Sequence, residues 1–141
     1  MDLGLEGTRV VVTAGARGIG LAIARALAGE GARVHICDID QGAIDAVSAA
    51  VPGIEGSVCD VSDRWAVDEF FASAVDRLGG LDCLVNNAGI PGPTGRVDTI
   101  APEDWDRTLA VNITGRNEFT IVDMQPPLPT PASTTPTTVG G

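Results

Sequence analysis

The chain has 141 residues, 44% of them hydrophobic, with nine basic against nineteen acidic groups and a net charge of −10. That length supports one domain with a packed core, and the apolar content excludes wholesale disorder. So acidic a surface repels phosphate backbones and anionic bilayers, which excludes nucleic acid and membrane surfaces as main partners.

The pattern alternates short β-branched runs with helical stretches, the mark of βαβ units and a parallel sheet. The first strand is expected over residues 8–13 (TRVVVT), apolar in its middle as a strand covered on both faces must be. A glycine-rich turn follows, and then a helix over 19–28 with Ile19, Ile23, Ala26 and Leu27 as its apolar side, stopped by Gly29 and Gly31. The second strand, 33–37 (RVHIC), ends at Asp38. A short helix over 41–50 presents Ile44, Val47 and Val51, and ends at Pro52 and Gly53.

A third strand spans 54–59. Ser62 and Asp63 then offer an N-cap, and Val67, Phe70, Phe71, Ala74, Val75 and Leu78 trace one buried helical face before Gly79 and Gly80 close the element. The fourth strand is expected over 81–85, followed by a loop through Gly92, Pro93 and Gly95. Pro102 suits the first position of a fourth helix, with Glu103, Asp104 and Asp106 near its positive end. Trp105, Leu109 and Ile113 form its apolar side, continuing toward Phe119 and Val122. From Met124 to the C-terminus there is no charged residue, and five of the nine prolines fall there. This divides the chain into a domain over 1–122 and a Pro/Thr-rich tail over 123–141.

All nine basic residues are arginines; the chain has no lysine and no tyrosine. Cys37, Cys59 and Cys83 lie in or at the ends of apolar runs, without a CxxC pair, and His35 is the single histidine. Buried free thiols and a structural histidine are expected, and no metal site. No basic-apolar leader pattern opens the chain, and no apolar run approaches the ~20 residues that cross a bilayer. A cytoplasmic protein is the expectation.

The residues that carry chemistry begin with the turn Thr13-Ala14-Gly15-Ala16-Arg17-Gly18-Ile19-Gly20, set between a buried strand and an amphipathic helix. Glycine there permits a tight turn and a close approach of backbone N–H groups to a pyrophosphate, and the helix N-terminus favours the negative charge. Asp38, eighteen residues beyond Gly20, stands where a carboxylate can accept hydrogen bonds from ribose hydroxyls. A carboxylate there repels a 2′-phosphate, which favours NAD over NADP. The competing readings are a turn-forming aspartate in Asp38-Ile39-Asp40, and an Arg17 guanidinium that grips a phosphate.

With Asp60-Val61 after the third strand, Asn86-Asn87-Ala88-Gly89 after the fourth and Asn112 within Val111-Asn112-Ile113-Thr114-Gly115, these motifs resemble the short-chain dehydrogenase/reductase family over about residues 5–120. The resemblance implies an α/β, Rossmann-like, doubly wound parallel sheet, cut off after about four strands and four helices. It implies a cofactor site of Thr13, Gly15, Ala16, Arg17, Gly18, Ile19, Gly20, Asp38, Asp60, Val61, Asn87, Ala88 and Gly89. Asp60 would meet the adenine amino group, the Val61 backbone a ring nitrogen, and Asn87, Ala88 and Gly89 the cofactor beyond its adenosine. Asn112 would help hold a catalytic water or lysine; its alternative is a purely structural hydrogen-bonding role. One departure falls inside the match: Ala14 occupies the first glycine position of the family's turn, which predicts a weakened or slightly rebuilt turn.

The family's chemistry uses a tyrosine as general acid/base, a lysine four residues on that lowers its pKa, and a serine that positions substrate. A phenol titrating near ~10 exchanges protons at neutral pH only beside a cation. With neither Tyr nor Lys in the chain, no turnover is expected, nor a small-molecule substrate for this chain alone. The switch near Val122 reads as a truncated or frame-disrupted product, and the fourth strand as an exposed edge open to self-association. The alternative is a non-catalytic nucleotide-binding or interaction module.

Overall fold

The computed structural model describes residues 2–114. Four strands, β1 (Arg9–Thr13), β2 (Arg33–Asp38), β3 (Ile54–Val58) and β4 (Cys83–Val85), form one parallel sheet in the order β3-β2-β1-β4. Helices α1 (Gly18–Gly29), α2 (Gln41–Ala50) and α3 (Arg64–Leu78) make the crossovers, and α4 (Pro102–Leu109) runs on into a π-helical turn over Ala110–Thr114. The expected Rossmann-like architecture is therefore present. The expectations for residues 115–122 and for the 123–141 tail lie outside the described residues.

Strand periodicity sorts the core into two layers. Val10 and Val12 of β1, with Val34 and Ile36 of β2, pack on Ala24, Ile44 and Val47 of α1 and α2. Val11 and Cys37 face the other way, onto Val67, Phe70, Phe71 and Ala74 of α3. His35 is buried on this second side, 5.5 Å from the Phe70 ring, with Nε2 3.0 Å from Ser57 Oγ. Burial, and then Arg77, hold its pKa below that of a free imidazole.

The helix ends follow from local chemistry. Asp63 caps α3 by accepting from the Trp65 and Ala66 amides, and Gly79 closes it in the left-handed region at φ +79°. Two strand arginines complete that end: Arg9 Nη1 donates to the Gly79 carbonyl at 2.6 Å, and Arg33 donates to the Leu78 and Arg77 carbonyls. Cations at a helix C-terminus satisfy orphan carbonyls and oppose the negative end of its dipole. Asp82 grips Arg9 in turn through both carboxylate oxygens, which lowers the Asp82 pKa to about 2.

Several local expectations are corrected. The apolar residues expected to bury α1 do not all do so: Ile19 is 75% exposed and Ala26 is exposed, while Gly20 and Ala24 are the buried positions. Ile23 and Leu27 of the expected side are part-buried against the first core layer, and the close approach is local to Gly20, where a Cβ would meet the Ala14 carbonyl oxygen. Gly29 belongs to the helix, and the reversal falls at Gly31, φ +88°, where a Cβ would strike the Glu6 side chain. Strand β4 starts at Cys83 rather than residue 81. Cys83 is exposed, because β4 is an edge strand among the described residues. Cys37 and Cys59 are buried as free thiols, as expected. Trp105, Leu109 and Ile113 are exposed rather than packed, and of this region only Val111 reaches the described core.

Candidate functional site

The carboxyl ends of the parallel strands meet at one rim, and a single side chain ties two of them together. Thr13, buried at the end of β1, accepts hydrogen bonds at Oγ1 from the Asn87 and Ala88 amides, both 2.9 Å. Asn87 returns the contact: its Nδ2 donates to the Thr13 carbonyl at 3.1 Å and the Ala14 carbonyl at 3.2 Å. The glycine-rich turn is thereby fixed to the segment after β4.

Within the turn each glycine answers a different constraint. A Cβ on Gly15 would lie 2.5 Å from Ile36 Cγ2, so the turn could not rest on β2. On Gly20 a Cβ would run into the Ala14 carbonyl oxygen and Asn87 Nδ2. Gly18 takes φ +55° at the opening of α1 with open space around it. Ala14 is the positive-φ residue that is not glycine, at φ +51° among the described residues. It takes the left-handed geometry that the family's glycine would take, so the turn is retained at a local cost in strain. Arg17, the N-cap of α1, makes no side-chain capping bond, leaving the first-turn amides uncovered.

Asp38 ends β2 beside this turn. Its Oδ2 accepts from the Ala16 amide at 3.2 Å, and its Oδ1 from the Ile39 and Asp40 amides. Asp38 is thus a turn-forming aspartate that also lies in the wall of the rim. Asp40 caps α2 through Ala43 and pairs with Arg17; the Ala43 amide first, then Arg17, hold its pKa below the usual carboxylate range. Asp60 turns Oδ1 onto the amide and hydroxyl of Ser62, at 2.9 and 2.6 Å.

These ends enclose a cleft of about 220 Å³. Of the residues expected at a cofactor site, Asp38, Asp60, Val61, Ala88 and Gly89 line it. Thr13, Gly15, Ala16, Gly18, Gly20 and Asn87 shape the turn at its edge, Ile19 points outward, and Arg17 is drawn to Asp40. Asn112 grips the loop after β4: its amide nitrogen donates to the Ile90 carbonyl and its oxygen accepts from the Ile90 amide, both 2.8 Å. Seven lining residues were not expected there: Ala14, quoted only as part of the turn, and Ile39, Cys59, Ser62, Ile90, Arg107 and Val111. Arg107 and Val111 are four apart on one face of the fourth helix, a spacing that could have paired them. Cys59 also reaches back to Cys37, and that contact, with burial, pushes the Cys37 thiol up.

A doubly wound parallel sheet with a glycine turn and a cleft at its carboxyl rim defines the Rossmann-like class. The family model for short chain dehydrogenase matches residues 8–122, and the chain belongs to that family. It is 40% identical over 112 residues to a sorbitol dehydrogenase of Cereibacter sphaeroides, covering 79% of this chain and 43% of that protein. A D-threitol dehydrogenase of Mycolicibacterium smegmatis is 36% identical over 118 residues, covering 81% of this chain and 45% of that protein. The crystal structure of a 3-ketoacyl-(acyl-carrier-protein) reductase from Brucella melitensis complexed with NADH is similar at a TM-score of 0.80 and 31% identity, over 83% of this chain and 48% of that one. The chain spans less than half the length of each of these relatives.

Proposed function

We propose that this chain binds a nicotinamide adenine dinucleotide, NAD in preference to NADP, and that the 141-residue polypeptide by itself carries out no dehydrogenase turnover. The observation that carries the binding reading is the placement of Asp38 at the cleft wall, one hydrogen bond from the glycine turn. The uncapped opening of α1 offers backbone amides to a pyrophosphate, and the turn that exposes them leaves no room for a Cβ at Gly20. Asp38 and Asp60 are both acceptors suited to the ribose hydroxyls and the adenine amino group, while Ala88 and Gly89 keep the wall beyond them low. The pairing of Arg17 with Asp40 favours NAD further, because that guanidinium already has a carboxylate.

When bound, the nicotinamide supplies hydride exchange with a carbonyl or alcohol carbon. The tyrosine and lysine that would move the accompanying proton in the family's chemistry have no counterpart in the chain. There is no tyrosine or lysine, and His35 is buried between Ser57 and Phe70 and does not line the cleft. Asn112 holds Ile90, which makes it a positioning residue for the cleft wall.

Calorimetric titration of the chain with NAD and NADP tests the reading. Saturable binding, tighter for NAD, is expected, with the preference narrowed in Asp38→Asn. A folded chain that binds neither dinucleotide overturns it. Measurable oxidation of alcohols with NAD, well above a no-protein control, overturns the inactivity. The second reading, a non-catalytic interaction module, is favoured by the exposed Trp105, Leu109 and Ile113 and by the unpaired side of β4 among the described residues. Under it, mass in sedimentation rises with protein concentration or with added partner, without any nucleotide dependence.

A further inference from the structure

Resting on the nucleotide reading above, we propose that Arg107 is an adenine-recognising residue, its guanidinium lying over the face of the base at the adenosine end of the cleft. Helix α4 and its π-helical extension reach the cleft at Arg107 and Val111, one turn apart and so on one face. Val111 packs on the same core cluster as Cys59 and Val61, which fixes that face toward the end of β3. Arg107 thus shares the cleft with Asp60, Val61 and Ser62, where the base would sit.

Arg9, Arg17 and Arg33 are all committed to carboxylates or helix carbonyls. The Arg107 guanidinium has no ion pair or hydrogen bond among the described residues, although two carboxylates line the same cleft. Those carboxylates are turned into their own loops, Asp38 onto three amides and Asp60 onto Ser62. Among the described residues it is the one basic group that lines the cleft, exposed and without a bonded carboxylate, which leaves its planar face open to a ligand.

The chemistry selects the base rather than a phosphate. The turn residues Gly15, Gly18 and Gly20, which suit phosphate, are not among those that line the cleft with Arg107. Asp38, beside the expected ribose, repels a 2′-phosphate. A planar guanidinium is weakly hydrated and stacks on aromatic faces. Ile39, 73% exposed at the end of β2, offers an apolar surface for the base on a different wall of the cleft.

The test compares ADP-ribose with 2′-phospho-ADP-ribose by calorimetry on the full chain, for wild type, Arg107→Ala and Arg107→Lys. Arg107→Ala is expected to weaken both ligands by the same factor, about fivefold. Arg107→Lys, which keeps the charge and loses the plane, should recover only part of that loss. The Arg107 side chain is exposed and makes no bond among the described residues, so the variants should remain folded, and circular dichroism checks this. If wild type binds ADP-ribose and Arg107→Ala binds it equally well, the inference is overturned while the nucleotide reading stands. Loss confined to the 2′-phosphorylated ligand assigns the guanidinium to a phosphate and also overturns it. If wild type binds neither ligand, the nucleotide reading fails and takes this inference with it.

Discussion

Adding a glycine usually lowers stability, yet Ala14→Gly is expected to raise it. Ala14 sits at φ +51°, where an L-residue costs roughly 1–2 kcal/mol because its Cβ crowds the following carbonyl. Against that relief stands the greater freedom of glycine in the unfolded chain, roughly 0.4–1 kcal/mol. A further fraction of the ~0.8 kcal/mol that a buried carbon contributes is lost with the methyl, which is only partly buried against the α3 side of the core. The balance is a gain of about 0.5 kcal/mol, or about 2 °C in melting temperature for a domain of this size. Thermal melts followed by circular dichroism measure it. Ala22→Gly is the control: Ala22 is exposed within α1, so glycine there should cost about 1 kcal/mol. If Ala14→Gly destabilises the chain as much as Ala22→Gly does, the left-handed geometry at Ala14 is wrong, and with it the account of how the turn survives without its glycine.

The remaining predictions concern the turn and two titrating groups. Gly20→Ala places a methyl against the Ala14 carbonyl oxygen, a backbone atom that cannot yield cheaply. A loss of about 1–3 kcal/mol is expected in urea unfolding, together with loss of nucleotide binding. His35 has a folded pKa below its free value of 6.5, so the unfolded chain takes up the proton first. Stability should therefore be full above pH 6.5 and fall as pH drops from there toward the folded pKa, a slope that His35→Gln flattens in urea melts at stepped pH. Asp82, with its pKa lowered from 3.8 to about 2 by the Arg9 side chain and amide, works in a more acid window. Its contribution is present above pH 3.8 and lost as pH falls through about 2, and Asp82→Asn should remove that dependence from acid unfolding curves.

What the sequence made legible was whatever depends on near neighbours. The βαβ order, the αL stop at Gly79, the Asp63 cap and the buried face of α3 all follow from residues a few positions apart. Asp38 was legible for the same reason, since it ends a strand of evident pattern. What was not legible depends on what lies opposite. Ile19 and Trp105 read as core because they are large and apolar, but their exposure is decided by how closely α1 lies behind the turn and by what covers α4. Arg107 was passed over because a charged residue on an exposed helix looks like solvent-facing surface until the cleft it borders is seen. The left-handed Ala14 was half-visible: the departure from the family's glycine was plain, whereas the conformation it takes could come only from the three-dimensional arrangement.

The hydroxyl of Thr13 has a consequence beyond its own hydrogen bonds. By accepting from two successive amides of the Asn87–Ala88 segment while Asn87 holds the carbonyls on either side of Ala14, it welds one wall of the cleft to the glycine-rich turn. The spacing between those two parts is set before any ligand arrives, so little ordering remains to oppose association. A dinucleotide would meet a gauge of fixed width, a constraint of shape added to the charge of Asp38.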